Sequence, residues 1–328
     1  MGYSSPSVQF PGDLCDLQWT EYRECDLPKN AQRKECIMAE LCTGIKGSKA
    51  YLLDKQTQMP IPQISVVSFV DILGYSAKVR EAARQGQTNV FLHDIQQALF
   101  ASSAYLEKEA PCYAFNFTDS VVIGWPIAKN GDSEVPLCIS CWNLAIFQLT
   151  MSQFNLFVRG GVAVGEAYFD EYLQSGEAFL SAYEVEEHQA IYPRIVLSEE
   201  AIAEAQSSCG YYTSQDCPLN YLFAVDADGA IFVNYLSSLF EIFDVETDRQ
   251  DIEECVIGHR DIIERNLKAA AGNPHIYRKY QWAAKYHDFF CESIHQWLGA
   301  GFGITVDYGA ERFSSPRHLL DVFPGWLA

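Results

Sequence analysis

The stretch of sequence that decides the fold is Ile64-Ser-Val-Val-Ser-Phe-Val-Asp-Ile-Leu73, which Gly74 ends. It is rich in β-branched residues and almost continuously apolar, as is typical of a central strand buried on both faces. Asp71 is the exception within it. A carboxylate in such apolar surroundings is costly unless it is paired or binds a metal, so Asp71 is a candidate functional residue. The alternative is that Asp71 lies at the strand end and caps a neighbouring loop.

The residues that follow show a regular order of helix and strand signals. Apolar residues at helical spacing alternate with short β-branched runs, and Thr118-Asp119 separates two of these runs as a hairpin turn. The predicted elements are a helix at 88–109, strands at 112–117 and 120–125, a helix at about 135–154, a strand at 156–168, a helix at 176–188 and a strand at 194–198. This order predicts an α/β (α+β) fold of ferredoxin-like type, with a mixed sheet and helices on one face.

The chain is predicted to have three parts. Residues 1–62 form a polar N-terminal extension with local helix at about 29–43, and residues 63–250 form the main domain. Residues 251–328 form a C-terminal helical extension with helices at 252–271 and 274–298. Its many aromatic residues favour core packing or a dimer surface, and His287 is interpreted as a hydrogen-bonded core histidine.

Composition limits the classes of partner. A formal net charge of −20 over 328 residues argues against nucleic-acid binding, although metal ions could still bring a phosphate-bearing small substrate to the protein. No apolar run approaches the ~20 residues that a membrane-spanning helix needs. Eleven cysteines without a visible secretory leader are typical of reduced thiols. We therefore expect a cytoplasmic protein that binds neither nucleic acid nor membrane.

Four segments in this order and spacing resemble the catalytic domain of class III nucleotidyl cyclases, the adenylate and guanylate cyclase type. They cover about residues 64–200. Each matches a short family pattern: a strand-borne Asp, an Asp at a hairpin turn, a glycine-bearing strand and a helix that begins with glycine. The segments are Phe69-Val-Asp-Ile-Leu-Gly-Tyr75, Phe117-Thr-Asp-Ser-Val-Val122, Arg159-Gly-Gly-Val-Ala-Val-Gly165 and Gly176-Glu-Ala-Phe-Leu-Ser-Ala182.

The resemblance implies a site for two divalent ions, Mg²⁺ or Mn²⁺, held by Asp71, Asp119 and the Ile72 carbonyl. Cyclisation needs a 3′-hydroxyl to lose its proton and attack the α-phosphorus, and two such ions assist both the attack and the departure of pyrophosphate. Carboxylate and carbonyl oxygens are the ligands that these ions prefer. The alternative for Asp119 is an ordinary turn residue.

The segment between the first predicted strand and the next helix is expected to contact the β- and γ-phosphates through backbone N–H groups, as helix N-termini do. The alternative is an ordinary turn that needs a glycine. Tyr75 stacks on ribose or base, or packs against the helix. The residues concerned are Gly74, Tyr75 and Ser76.

The sequence departs from the purine cyclases of this family at four positions. Phe115 replaces the base-reading lysine, Leu173 replaces a polar base-reading residue, and Leu180 and Glu184 replace the asparagine and arginine that steady the transition state. Either the chain is a non-catalytic member, or it takes a different base. Phe115 and Leu173 would suit a narrow, apolar slot for a small ring, with discrimination left to a few polar contacts.

Four segments, two of which overlap those above, resemble the bacterial pyrimidine cyclases of the Pycsar anti-phage system. They are Arg159–Gly165, Gly176–Glu186, Tyr192-Pro-Arg-Ile-Val196 and Lys279-Tyr-x-Trp-x-x-x-Tyr-His287. The resemblance implies synthesis of cyclic UMP or cyclic CMP as an alarm signal that a separate effector protein receives. It also implies a homodimer with active sites at the subunit interface.

Arg159 is the candidate for the missing cationic group, because the guanidinium fork suits two phosphate oxygens. The alternative is a salt bridge at the sheet edge, and Glu184 is a possible partner. Arg194 is expected to pair on the surface.

The sequence thus predicts a pyrimidine nucleotide cyclase, with UTP slightly preferred over CTP. Three alternatives remain: a purine cyclase with unusual base recognition, a nucleotide-binding module without catalysis, and a purely structural partner domain.

Overall fold

A computed structural model describes residues 51–103, 106, 112–127, 136–209, 217–309 and 316–327. The predicted helix at 29–43 lies outside these residues. The strands are β1 (Leu52–Leu53), β2 (Pro60–Ile61), β3 (Gln63–Ile72), β4 (Tyr113–Phe117), β5 (Ser120–Pro126), β6 (Val158–Phe169), β7 (Gln174–Gly176), β8 (Ile195–Leu197), β9 (Phe223–Val225), β10 (Ile231–Val233) and β11 (Arg317–His318).

Helices connect and cover these strands. They are α1 (Tyr75–Arg84), α2 (Thr88–Ser103), α3 (Pro136–Gln153), α4 (Glu177–His188), α5 (Glu199–Cys209), α6 (Pro218–Leu222), α7 (Leu239–Ile242), α8 (Arg249–Ala269), α9 (Pro274–Ser293), α10 (His295–Leu298) and α11 (Leu319–Val322), with 3₁₀ turns at Tyr235–Ser238 and Pro324–Leu327. No helix in these described ranges is long and apolar enough to cross a membrane.

The main sheet has the strand order β11-β9-β10-β8-β6-β3-β5-β4, and β7 pairs with the far end of β6. The β6–β8 pair is parallel, whereas the other neighbours pair antiparallel, so the predicted mixed sheet is confirmed. The strand predicted at 64–73 is β3, which lies between β5 and β6. Its central place explains its apolar sequence.

Alternate residues of β3 face two different apolar clusters, because successive side chains of a strand point to opposite faces. Val66 and Val70 belong to the larger core, which α2 and α3 cover, as the prediction of helices on one face requires. Val67 and Phe69 belong to a smaller cluster on the other face. There α4 adds a single covering helix, whose Ala178 and Ala182 pack against the sheet.

The helices after residue 250 share the larger core. Tyr280 of α9 packs edge-on against Phe157 with ring centroids 5.7 Å apart, and the Gln153 amide donates to the Cys255 carbonyl at 3.2 Å. The division of the chain at residues 63 and 251 stays a prediction. The single helix predicted at 274–298 is interrupted at Ile294, where α9 ends and α10 begins.

The helix α1 was not predicted from the sequence. Its apolar residues do fall at helical spacing (Tyr75, Val79, Ala82 and Ala83), but they are few and mostly small, so the apolar stripe is short and was not recognised as a helix. Ser198 caps the amino end of α5, since the Ala201 N–H donates to the Ser198 hydroxyl at 3.2 Å.

Two fully buried histidines join α8 to α9. The His259 and His287 Nδ1 atoms are 3.0 Å apart, and His287 Nε2 is 2.9 Å from the Phe302 carbonyl. Burial lowers the pKa of both rings, so each carries one proton. Because a carbonyl only accepts, the proton of His287 is on Nε2, and its Nδ1 then accepts from His259. The His259 Nε2 accepts in turn from the Tyr235 hydroxyl at 2.8 Å, so His287 is a hydrogen-bonded core histidine, as predicted.

We predict that the free energy of unfolding falls as the pH drops below about 6.5, the pKa of unfolded histidine. Burial lowers the pKa of His259 and His287, and the charge of His287 lowers the pKa of His259 further. The unfolded chain then binds more protons, with a slope of at most about 1.4 kcal/mol per pH unit for each histidine.

Denaturant unfolding between pH 5.5 and 7.5 checks this expectation. The double variant His259→Gln/His287→Gln should show a flatter dependence on pH than the wild type, whereas the exposed His275→Gln should follow it. Equal slopes in the double variant and the wild type would contradict the neutral assignment.

Candidate functional site

The candidate site is a row of side chains across four neighbouring strands at one end of the sheet. Asp71, the penultimate residue of β3, pairs in register with Ser120 of β5 on one side and Arg159 of β6 on the other. Ser120 pairs in turn with Phe117 of β4. Directly paired residues share a face, so these four side chains lie on the face that α4 partly covers.

Asp119 lies next to this row in the two-residue turn between β4 and β5. Its carbonyl accepts from the Ile72 N–H at 3.0 Å, which fixes the turn against the end of β3. The pKa of Asp71 is raised, chiefly by burial and then by the charge of Asp119, although Arg159 and Ser120 act in the opposite direction. The two predicted metal-binding carboxylates are thus close enough to repel each other.

Arg159 is held by the carboxyl-terminal part of α4. One guanidinium nitrogen is 2.6 Å from the Glu186 carboxylate, and the other donates to the Glu186 and Ala190 carbonyls at 3.3 and 3.4 Å. The Arg159 Nε is 3.5 Å from the Asp71 carboxylate. The expected salt bridge exists, but β6 is an inner strand rather than an edge, and the partner is Glu186 rather than the exposed Glu184.

Glu186 is a site residue that the sequence analysis missed. It lies on the buried stripe of α4 with Ala178, Ala182 and Val185, and a carboxylate on an apolar stripe is a detectable signal. Burial raises its pKa, while Arg159 acts to lower it. The close approach of α4 to β6, which brings Glu186 to Arg159, requires glycine at position 161. A Cβ on Gly161 would lie 2.2 Å from the Ala182 carbonyl of α4.

The predicted phosphate-contacting segment forms the start of α1. Gly74 has a φ of 72°, in the left-handed region that favours glycine, and α1 begins at the next residue. Ser76 is exposed, and the Tyr75 ring packs against Phe91 at 6.1 Å. The amino end of α1 therefore follows Asp71 closely in the chain, and Tyr75 shows the helix packing that was one of its two alternatives.

The predicted base-contacting residues are not brought together within one chain. Phe115 pairs in register with Val122, which pairs with Phe69, so Phe115 lies one row beyond Asp71 on the same face. Leu173 lies in the turn beyond the far end of β6. Phe169 is ten residue steps along β6 from Arg159, a distance of about 33 Å. Leu173 therefore cannot line the same pocket as Asp71 of the same subunit.

The positions of the family's transition-state residues face away from Asp71. Leu180 and Glu184 are on the exposed side of α4, opposite the residues that pack on the sheet. The cation beside Asp71 is Arg159 of β6, and the outer side of α4 supplies none.

The donor set at Asp71 and Asp119 fits oxygen-preferring divalent ions. The raised pKa of Asp71 shows a carboxylate whose charge is only partly compensated, which a cation would relieve. Within the described ranges there is no group of three or more histidine, cysteine, aspartate or glutamate side chains arranged to hold a metal. Two carboxylates suffice for Mg²⁺ where substrate phosphates and water supply the other ligands.

Thr118 adopts a strained backbone at the turn that carries Asp119. Its φ of 56° lies in the left-handed region, which is rare for a β-branched residue. Its hydroxyl donates to the Asp119 carboxylate at 2.7 Å. We predict that Thr118→Gly raises the free energy of unfolding by about 1 kcal/mol, because relief of the strain outweighs the lost hydrogen bond.

Urea denaturation of Thr118→Gly checks this stability change. Thr118→Ala is the matched control, because alanine loses the hydroxyl but keeps the Cβ and should not stabilise the protein. A glycine variant that is no more stable than the alanine variant would show that the turn is not strained.

The chain has a loose structural likeness to a solved protein, but no match to a known sequence family. No protein-family model matches the chain, and no curated protein matches it. Among solved structures, the chain is similar to the adenylyl cyclase CyaB from P. aeruginosa, with 12% sequence identity and a TM-score of 0.37. The match covers 53% of this chain and 94% of that one.

Proposed function

We propose that this protein is a metal-dependent nucleotidyl cyclase that converts a pyrimidine nucleoside triphosphate, UTP or CTP, into its 3′,5′-cyclic monophosphate and pyrophosphate. The observation that carries the proposal is the meeting of Asp71 and Asp119 at one end of the central strand, with Arg159 beside them. Two mutually repelling carboxylates at a half-buried strand end are costly for folding and useful for binding metal ions.

Asp71, Asp119 and the Ile72 carbonyl would hold Mg²⁺ or Mn²⁺. When bound, such ions lower the pKa of the attacking 3′-hydroxyl and neutralise charge on the triphosphate. Arg159 is fixed by Glu186 and two carbonyls, so its guanidinium is oriented before substrate arrives and can donate to phosphate oxygens. The backbone N–H groups at the start of α1 would contact the β- and γ-phosphates.

The choice of a pyrimidine base rests on the apolar surface near Asp71. Phe115 lies in the row next to the acids and is half-buried, at the position where a purine cyclase carries a lysine, and its neighbours in that row are the buried Val122 and the half-buried Phe69. Such a surface offers a ring to stack on and no cation for a purine edge. The proposed product would act as a second messenger in anti-phage defence, through a separate effector protein, as the resemblance to Pycsar cyclases implies.

We also propose that the active site is shared between two subunits. Leu173 is too far from Asp71 of its own chain, so a base slot that contains both Phe115 and Leu173 needs a second copy. Large apolar side chains are exposed on this face, as expected of an unfilled interface: Phe117, Leu173, Leu180 and Tyr183. A mixture of inactive Asp71→Ala and inactive Leu173→Arg subunits should regain activity if each supplies what the other lacks.

A second candidate is a nucleotide-binding module without catalysis. It is favoured by the exposed Leu180 and Glu184, which stand at the positions of the family's asparagine and arginine. Such a module would bind triphosphate and release no pyrophosphate. A purine cyclase with unusual base recognition would instead form a cyclic purine product.

Incubation of the purified protein with each of ATP, GTP, CTP and UTP in the presence of Mn²⁺ tests the proposal. Product masses and pyrophosphate release are measured for the wild type and for Asp71→Ala. A cyclic pyrimidine product that the variant does not form would support the proposal. A cyclic purine product, or binding without pyrophosphate release, would favour the alternatives.

A further inference from the structure

Helix α9 packs against two segments of the chain that lie beside Arg159 in space. One is the residue stretch just before β6, and the other is the loop that follows α4. Tyr280 packs on Phe157, two residues before Arg159. Trp282 stacks on Tyr192 with an interplanar angle of 8° and centroids 6.0 Å apart, two residues after Ala190, whose carbonyl accepts from Arg159. Helix α9 is therefore fixed across the same end of the sheet as Asp71.

Lys279 immediately precedes Tyr280 and is half-buried. It lies on the same side of α9 as Trp282, since residues three apart are neighbours on a helix. No carboxylate in the described ranges lies within ion-pair distance of its amine. Burial and the charge of Arg159 lower the pKa of Lys279, while Asp71 and Glu186 act to raise it, so its amine is within electrostatic reach of these three side chains.

We propose that Lys279 is a phosphate-binding residue of the active site, which α9 supplies as a second cation beside Arg159 for the triphosphate and the departing pyrophosphate. This inference rests on the proposed cyclase function. If the protein is a cyclase, its C-terminal helices belong to the catalytic unit, because α9 carries Lys279, which contacts the substrate phosphates.

Charge and anchoring support this role. Lysine binds phosphate as a compact point charge, and a cation without a carboxylate partner is free to accept an anion. The turn of the helix that carries it is held by two side-chain hydrogen bonds, from Trp282 to Asp226 at 2.6 Å and from Gln281 to the Tyr308 carbonyl at 2.6 Å. Little ordering would therefore be needed when substrate binds.

Calorimetric titration of the full chain with inorganic pyrophosphate and Mg²⁺ tests the inference without catalysis. Lys279→Met should weaken pyrophosphate binding about tenfold or more, the usual loss for one charge-assisted hydrogen bond. Lys279→Arg should bind within about threefold of the wild type. Lys268→Met, which removes an exposed lysine at the end of α8, is the charge-matched control and should bind as the wild type does.

The KM for the active triphosphate should rise by a similar factor in Lys279→Met, and thermal melting of each variant reports its folding. If Lys279→Met is unfolded, Lys279→Gln takes its place. Pyrophosphate binding equal to that of the wild type in a folded Lys279 variant overturns the inference and leaves the cyclase proposal standing. A wild type that neither binds pyrophosphate nor forms cyclic product overturns both.

Discussion

Replacing Asp71 with asparagine is expected to lower cyclase activity by at least about 1000-fold while the protein stays fully folded. Asparagine keeps the shape of the side chain but loses the charge that would hold a divalent ion. Metal ions contribute several kcal/mol to such reactions, and each 1.36 kcal/mol is a factor of ten in rate. Activity is measured with Mn²⁺ and the best of the four triphosphates.

The same substitution should raise the free energy of unfolding at neutral pH. The pKa of Asp71 is raised in the folded protein by burial and by Asp119, so ionised Asp71 opposes folding. Arg159 keeps Glu186 and two carbonyls when the Asp71 charge is removed. A gain in stability with a loss of activity is the signature of a residue retained for function.

The pH dependence of the free energy of unfolding checks that the gain in stability comes from the Asp71 charge. A carboxyl with a raised folded pKa contributes stability that is present below its unfolded pKa, and that contribution is lost as pH rises through the folded pKa. The stability of Asp71→Asn and of the wild type should therefore converge near pH 4 and separate towards pH 7.

Asp244→Ala is the matched control for both measurements. Hydrogen bonds from the Glu246 and Thr247 N–H groups lower the pKa of this exposed aspartate, so its charge supports folding. The variant should lose stability at neutral pH and keep its activity. If Asp71→Asn instead loses stability and keeps its activity, Asp71 is a capping residue and the cyclase proposal fails.

The closeness of Asp71 and Asp119 was predictable, because the position of each acid depends on residues near it in the sequence. The apolar run places Asp71 near a strand end, and the two-residue spacing at Thr118-Asp119 predicts a hairpin. The two acids meet because β3 pairs with β5; the resemblance implied only that both acids hold the same ions. The strands from 112 to 126 occupy almost the residues expected from the sequence.

The cationic side of the site was less predictable because it depends on register and on distant segments. Arg159 faces Asp71 only in one register of β3 against β6, and a shift by one residue would turn it to the other face. Lys279 reaches the site from a helix more than a hundred residues further along the chain. No spacing rule relates such a residue to Asp71, although the aromatic side chains around it do indicate a packed helix.

Arg194 also depends on distant segments of the chain. The prediction that it pairs on the surface is wrong, because its ion pairs are buried. The side chain is 1% exposed and binds two carboxylates, Asp226 and Asp228, with the Asp228 contact at 2.5 Å. Asp226 also accepts from the Trp282 indole at 2.6 Å. Sequence alone could not place a loop thirty residues away over the start of β8. The result is a buried ionic cluster that links the sheet to α9.

We predict that Arg194→Met lowers the free energy of unfolding by about 3–5 kcal/mol, because it leaves the buried Asp226 without its cation. Burial alone would raise the pKa of Asp228, but the hydrogen bond and charge of Arg194 hold it below its usual value, so that carboxyl also loses a stabilising partner. Chemical denaturation at neutral pH measures the loss.

The double variant Arg194→Met/Asp226→Asn separates the charge from the packing. Asparagine removes the uncompensated charge and can still accept from the Trp282 indole, so the double variant should be more stable than Arg194→Met alone. Additive losses from the two substitutions would show that the ion pair contributes no coupling. In that case the attachment of α9 to the sheet would depend on its aromatic packing, with Trp282 on Tyr192 and Tyr280 on Phe157, rather than on the cluster.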